Sequence, residues 1–303
     1  MLTREIDAFL QVARSCAPDF GLPCARAAFL VAPDGFARAE ESARDNRYMS
    51  EAVGFDPAAA SLQHRELQRC LSSELPVVCF AGDPDAPDAL FPNNVFGTTP
   101  GRLVVGRMRH PVRQREAERA DVRGFFRGVL GYAETDLSTQ PHPCELTGAL
   151  VIDRARGLGF CGLSERCDMQ GAALMHDAFG LRATLAFDLA EGEYHTNVVL
   201  ALLAGRAALL SPAGFADGAV VAAIASLYDP HVIHASRQEQ AAFACNAIAL
   251  REDSVWMSAR AIAALSPQTR QGLQDAGFRI RGVALDAIEA AGGSLRCCVA
   301  EIF

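Results

Sequence analysis

The sequence predicts an α/β fold in which five similar units close into a ring, and three observations carry that prediction. A polar or small residue opens an apolar strand five times, at Asn94, Gly148, Asn197, Asn246 and Cys297, with intervals of 54, 49, 49 and 51 residues. Between these starts the chain repeats one grammar of strand, turn, strand, helix and strand, and a period near 50 of that kind marks a radial repeat rather than a linear sheet. The last unit stops after one strand, while the N-terminal segment carries the pieces it lacks.

The elements follow in order. The segments AAFLVA and PVVCFAG read as strands flanking a helix over about 57–73, and RCCVAEIF at the end supplies the remaining strand of that unit. Stitching the two ends together leaves no open edge strand. A helix at about 4–13 has no place in the repeat, and the Asp- and Pro-rich run 83–89 reads as a surface loop. After Asn94, VFGTT and RLVVGRM flank Pro100-Gly101, and a charged amphipathic helix is expected over 112–132. The next unit has ALVID, LGFCGL, a helix to about Gly180 and ATLAFDL; the one after has VVLAL, AALL, a helix over 215–228 and VIHAS. In the following unit AIAL and VWMS precede a helix at 261–277 and the strand FRIRGVAL.

Composition excludes several roles. The 303 residues are 50% apolar, enough for a large core, and the repeat assigns them to one domain, 1–303. A net charge of -8 argues against nucleic acid or anionic membrane as partner and is compatible with a cationic small molecule. The mixed charges of the first seven residues do not resemble an export signal, and Arg206 breaks the longest apolar run, so a cytoplasmic location is expected. Ten cysteines occur without any C-x-x-C pair. Cys16, Cys24, Cys70, Cys79, Cys144, Cys161, Cys167 and Cys245 are read as packing residues, and no metal or organic cofactor is expected.

If the repeat starts converge, Asn94, Glu145, His195, Asn197 and Cys297 face one pocket. Cys297 follows Gly292-Gly-Ser-Leu-Arg296 and is either a nucleophile or a buried Cys of an edge strand, with Arg296 beside it to lower its thiol pKa. Cys298 would point to the opposite face of a strand. His195 alone of seven histidines sits on a repeat start, where it either handles a proton or satisfies local structure. Glu145 against an apolar strand either holds a cation, orients an imidazole or is a solvated turn residue. Asn94 and Asn197 occupy equivalent places and could clamp a planar N-C-N or N-C-O group, or serve as turn residues; Asn246 is read as a turn residue.

Six segments carry a resemblance: Phe91-Pro-Asn-Asn94, the run Arg113 to Glu118, Glu145-Leu-Thr-Gly148, Ser164-Glu-Arg166, His195-Thr-Asn197 and Gly292-Gly-Ser-Leu-Arg-Cys297. In that order they resemble the guanidino-group modifying superfamily, which contains arginine deiminase, dimethylarginine dimethylaminohydrolase and amidinotransferases, with the greatest likeness to arginine-deiminase-related, citrulline-utilisation-type hydrolases. The resemblance implies a five-bladed α/β propeller, the pentein fold. It implies that Cys297 attacks the guanidinium carbon to give an S-alkylthiouronium, that His195 protonates the leaving nitrogen and activates water, and that Glu145 holds the substrate nitrogens or the imidazole. Arg113 or Arg115 would bind a substrate carboxylate, with Arg296 a further substrate contact.

Where deiminases carry Asp, this chain has Asn94 and Asn197, and Glu-Leu-Thr-Gly replaces a more acidic motif. Loss of carboxylates removes the preference for a cation over a neutral ureido group, so two rounds of hydrolysis to an amine such as ornithine are expected. Single-step deimination, hydrolysis of a substituted arginine and amidino transfer are the alternatives. A different class altogether is a non-catalytic binding protein, since such propellers also serve in translation factors. The exact substrate is open, and so is the oligomeric state, a homo-oligomer included.

Overall fold

In the computed structural model, which describes residues 1–303 apart from 51 and 53, the chain forms a mixed α/β structure with five sheets. The strands in chain order are β1 (Leu2–Thr3), β2 (Ala27–Val31), β3 (Val77–Phe80), β4 (Phe96–Thr99), β5 (Arg102–Val105), β6 (Ala133–Asp136), β7 (Leu150–Asp153) and β8 (Leu158–Leu163). They continue with β9 (Ala183–Asp188), β10 (Leu200–Leu203), β11 (Ala207–Leu210), β12 (Val232–His234), β13 (Ile248–Arg251), β14 (Ser254–Ser258), β15 (Arg279–Val283) and β16 (Ala300–Ile302). In each sheet two strands pair antiparallel across a turn and a third joins in parallel after a helical crossover, as in β4-β5-β6 or β10-β11-β12. A parallel third strand needs such a crossover, because a tight turn can only reverse the chain. Strand β16 pairs antiparallel with β2, Ala300 opposite Phe29, so the sheet β16-β2-β3 is built from both ends of the sequence.

Apolar side chains alternate between the faces of these short strands, and each sheet shares buried clusters with two others. Phe160 and Leu185 pack with Leu200 and Leu210; Leu203 and Leu209 pack with Val255 and Met257. Ile248 and Trp256 meet Leu30 and Val299, Phe29 and Val31 meet Phe96 and Val105, and Val104 meets Leu150 and Cys161. At about 1.5–3 kcal/mol for each large apolar side chain fully buried, these five seams are the main stabilising term.

Several expected elements differ. The charged segment 112–132 is not one helix but three short pieces, Pro111–Gln114, Arg115–Glu118 and Ala120–Gly128, because Arg119 leaves helical geometry (ψ 95°) to fork onto Asp121 and the Ala81 carbonyl. Pro267 with the Ser266 cap restarts the helix expected over 261–277, giving Ala259–Ala264 and Pro267–Asp275. The N-terminal residues add a fourth strand, β1, parallel to β9, and the helix Ile6–Ala13 buries Phe9 against Phe160. The run 83–89 is not wholly a surface loop, since Ala86, Asp88 and Ala89 are buried. Among the described residues, no helix is long and apolar enough to cross a membrane.

Candidate active site

Four of the five repeat starts sit on helical turns just before the first strand rather than on the strand itself, and Asn246 sits in a bend before β13. Pro92–Asn94 precedes β4, Leu146–Ala149 follows Glu145 and precedes β7, Thr196–Val198 follows His195 and precedes β10, and Leu295–Cys298 precedes β16. A single turn of this kind lets consecutive backbone and side-chain groups aim at one point, which an alternating strand would send to opposite faces. Face alternation therefore does not separate Cys297 from Cys298, as strand geometry would have done. Both are buried, and Cys297 is the one that lines the cavity.

Two side-chain amides reach the sulfur. Asn246 Nδ2 lies 3.4 Å from Cys297 Sγ and Asn197 Nδ2 3.8 Å, while the Cys297 backbone N–H donates to Asn246 Oδ1 at 3.4 Å. Asn246 also donates to the Asn197 carbonyl at 2.9 Å, which fixes the two side chains relative to one another. Asn246 thus reaches the thiol although its sequence reads as a turn. The signal that could have found it was its interval of 49 residues from Asn197, the same spacing that singled out its neighbours.

A second group is built around Glu145, and neither Glu145 nor His195 is among the residues that line the Cys297 cavity. His195 Nε2 and Glu145 Oε2 are 2.9 Å apart, both side chains fully buried, and Arg166 Nη1 donates to the same oxygen at 3.3 Å. The Arg109 backbone N–H donates to Glu145 Oε1 at 3.0 Å. His195 Nδ1 is buried with no partner among the described residues, so one ring nitrogen is anchored and the other is open. Gly148 makes this approach feasible, because a Cβ there would stand 2.8 Å from the His195 ring and 2.6 Å from Asn94 Oδ1. No hydrogen bond joins Asn94 to Asn197 among the described residues.

Titration follows these contacts. Burial pushes the Glu145 carboxyl up, but the Arg166 guanidinium and the His195 hydrogen bond outweigh it and hold the group well below the usual carboxylate range. Burial lowers His195, against the pull of Glu145. Burial also raises the Cys297 thiol above its ordinary value; the Asn246 hydrogen bond and Arg296 act in the opposite direction without reversing it. Arg296 alone therefore does not produce a thiolate.

The predicted arginines divide. Arg113 is buried and lines the Cys297 cavity, with Nε and Nη2 each 2.8 Å from Glu116 and Nη2 3.2 Å from the Phe91 carbonyl. Arg115 is exposed and donates to the Asp85 carbonyl. The Arg296 guanidinium turns away from the sulfur, onto Asn93 Oδ1 at 2.5 Å and Glu301 Oε2 at 2.8 Å, and lines a different cavity. Arg166, known from the sequence only as part of Ser164-Glu-Arg166, joins Arg113 in the Cys297 cavity instead.

A strap over residues 38–50 covers the cavity, and Ser42, Asn46 and Met49 line it. Asp45 on this strap receives both Nε (3.0 Å) and Nη2 of Arg166 and lies 2.9 Å from His110 Nε2. Asn46 Nδ2 donates to the Gly292 carbonyl at 3.2 Å, and Gly292 (φ +75°) has no room for a Cβ against that side chain. The cavity measures only about 20 Å³, room for little more than a water molecule. Among the described residues no group of three or more His, Cys, Asp or Glu is arranged to hold a metal ion.

The model of the family described as N,N dimethylarginine dimethylhydrolase, eukaryotic, matches residues 32–303. The chain belongs to that family. It is thereby an enzyme of the guanidino-group modifying superfamily, a hydrolase acting on C–N bonds of linear amidines. No curated protein matches it in sequence. Among solved structures it is similar to the N-terminal domain of ArgZ, an arginine dihydrolase of the ornithine-ammonia cycle in cyanobacteria, in a cysteine-to-serine variant bound to substrate: TM-score 0.79, 21% identity, 91% of this chain and 97% of that one. It is similar to AgrE, in a cysteine-to-alanine variant with L-arginine: TM-score 0.79, 22% identity, 91% of this chain and 40% of that one. A dimethylarginine dimethylaminohydrolase with an S-methyl-L-thiocitrulline adduct has TM-score 0.69 and 18% identity over 92% of this chain and 100% of its own. At these identities the likeness is one of fold.

Proposed function

We propose that this protein is a cytoplasmic, cysteine-dependent hydrolase that removes the guanidino group of arginine or an arginine derivative in two rounds, leaving ornithine. We propose also that 1–303 is one domain whose five sheets stand as blades of an α/β propeller, supported by the five seams that each join two sheets. The observation that carries the reaction is what touches the sulfur: among the described residues, the side chains within hydrogen-bonding distance of Cys297 Sγ are the amides of Asn197 and Asn246, while the acids around them are engaged elsewhere, Glu145 by His195 and Arg166, and Asp88, which lines the Cys297 cavity, by Ser42 and, at 3.9 Å, Arg113. Amides of this kind can present carbonyl oxygens to a guanidinium and N–H groups to a ureido oxygen. The arginine dihydrolase ArgZ, a structural neighbour, supports the same direction, and an Asn-to-Ser variant of it is covalently bonded to a reaction intermediate.

In this reading Cys297 is the nucleophile, His195 the proton carrier and Glu145 its orienting acid. A bound guanidinium supplies the positive charge that the resting thiol lacks and favours its deprotonation. The thiol proton passes to His195 Nδ1 as the thiolate adds to the guanidinium carbon; Nδ1 then gives that proton to the leaving nitrogen, and ammonia departs from the tetrahedral adduct, leaving an S-alkylthiouronium. Water, losing its proton to His195, then frees Cys297 and gives citrulline. A second attack on the ureido carbon expels the second ammonia. Hydrolysis of the resulting thiocarbamate gives a carbamate that loses CO2, so arginine and two waters become ornithine, CO2 and two ammonia. Asn94 and Asn197 hold the reacting group, and Arg113 the substrate carboxylate. A cytoplasmic setting keeps the thiol reduced.

The family match favours a second reading, in which a substituted arginine loses its amine in one round and citrulline is the product. Product analysis with arginine, citrulline and methylated arginines separates the two. Ornithine with two ammonia per arginine supports the dihydrolase; citrulline that persists, with amine released, supports the second reading. A requirement for an acceptor amine would indicate amidino transfer, and retention of activity in Cys297→Ser would remove both hydrolytic readings. In a dihydrolase, Asn94→Asp should shift product toward citrulline.

A further inference from the structure

A second cavity, of about 40 Å³, lies beyond Asn197, away from the strap and lined by the first strands of three sheets, β7, β10 and β13. Asn197, which reaches the Cys297 sulfur, also lines this cavity. Its charge comes from Arg154, Arg296 and Glu301. Arg296 and Glu301 pair with each other at 2.8 Å; Glu301 also acts on Arg154 through space without forming a salt bridge to it, so the three together carry one net positive charge. Arg154 is only 9% exposed. Its guanidinium donates from Nη1 to the Thr98 carbonyl at 2.9 Å and lies over the rings of Phe303 (4.3 Å) and Phe179 (5.2 Å), with no carboxylate in salt-bridge range among the described residues.

A buried charge without a counter-ion is costly, and native structures usually pair or neutralise it. The sheet neighbours here supply rings and a carbonyl, which neither neutralise a guanidinium nor use its forked donors. Burial accordingly pulls Arg154 down to about 10. The space available is small: about 40 Å³, where roughly 10–15 Å³ suffices to hold one water, has room for a few waters or a compact ion. Pro23, Ile152 and Leu202 in its lining are half-buried, and Cys297 is not among the lining residues.

We propose that this second cavity is a binding site for a small oxyanion of formate or bicarbonate size, held by Arg154 with Arg296 beside it. Phosphate, the bulkier tetrahedral ion, fits the same space less well. An occupied site would offset the positive field of Arg296 at the sulfur, so an anion there slows turnover; this consequence alone rests on the proposed function, whereas binding does not.

The test is calorimetric titration of the full chain with sodium formate, bicarbonate and phosphate, against chloride at matched ionic strength. One saturable site for formate and bicarbonate per chain is expected, with phosphate at least tenfold weaker. Arg154→Gln should weaken formate at least tenfold. Leu202→Asp, which sets a fixed carboxylate in the cavity wall without touching the arginine, should do the same if Arg154→Gln fails to fold. Cys297→Ser should bind formate like the parent chain. Absence of saturable binding, unchanged affinity in the wall variant, or loss of binding in Cys297→Ser would each overturn the site. Arginine turnover measured with saturating formate reads the inhibition separately, so a chain inactive on arginine could still prove the anion site.

Discussion

Two buried arginines in the Cys297 cavity, each set against two carboxylates, behave in opposite ways. Arg166 meets Glu145 and Asp45, and Glu145 is held below its ordinary pKa. Arg113 meets Glu116 at 2.8 Å and Asp88 at 3.9 Å, yet burial drives Glu116 up to about 7 and raises Asp88 as well. The difference lies in the additional donors. Glu145 also accepts from the Arg109 backbone and pairs with His195, so its anion is satisfied on both oxygens. Asp88 Oδ1 has no partner among the described residues, and Glu116 leans on Arg113 alone. A single guanidinium offsets only part of the desolvation of two acids; additional hydrogen bonds decide which acid stays ionised.

The largest test of this contrast is Glu145→Gln. It keeps the shape but removes the charge that anchors His195 and Arg166, and under the proposed mechanism kcat should fall by about 10²–10⁴-fold. A fall of less than about threefold would make Glu145 a packing residue. Next comes pH. Glu116 has a raised folded pKa, so its contribution to stability is complete below its unfolded value near 4.5 and is lost as pH rises through about 7. Chemical denaturation between those pH values should show stability declining with pH by on the order of 1–3 kcal/mol, and Glu116→Gln should flatten that slope. Glu145 has the opposite sign, contributing above its unfolded pKa and losing that as pH falls through its depressed value. The smallest effect is expected of Asp45→Asn, which loosens the strap from Arg166 and His110. Faster proteolysis within residues 38–49 and a KM changed by about two- to fivefold should follow, with kcat little altered. Unchanged proteolysis would mean that the strap is held by Asn46 and its packing instead.

Much of the candidate site was visible as spacing. Asn94, Asn197 and Cys297 were singled out by the repeat, and His195 and Glu145 by their places beside its starts. Asn246 shared the repeat but had no chemistry to mark it, because an asparagine contacting a sulfur and one closing a turn are the same letter in the same context. Arg166 and Asp45 were beyond reach for another reason: they come from the third unit's connection and the N-terminal strap, 121 residues apart, and only folding makes them partners. The arginines of 113–118 were visible as a group, but which faces inward depends on a chain that breaks at Arg119.

The sequence by itself determined the α/β grammar and its period, since apolar alternation, helix caps and turns are local and survive in one dimension. It also determined that polar residues open the strands. Tertiary structure decided what those residues touch. Helical turns at the strand mouths for Asn197 and Cys297, and a bend for Asn246, bring the three side chains together, while Arg296, one residue from the thiol, turns into another cavity. Hydrogen bonding and burial act over a few ångströms between residues distant in sequence, so direction and charge state are properties of the packed chain alone.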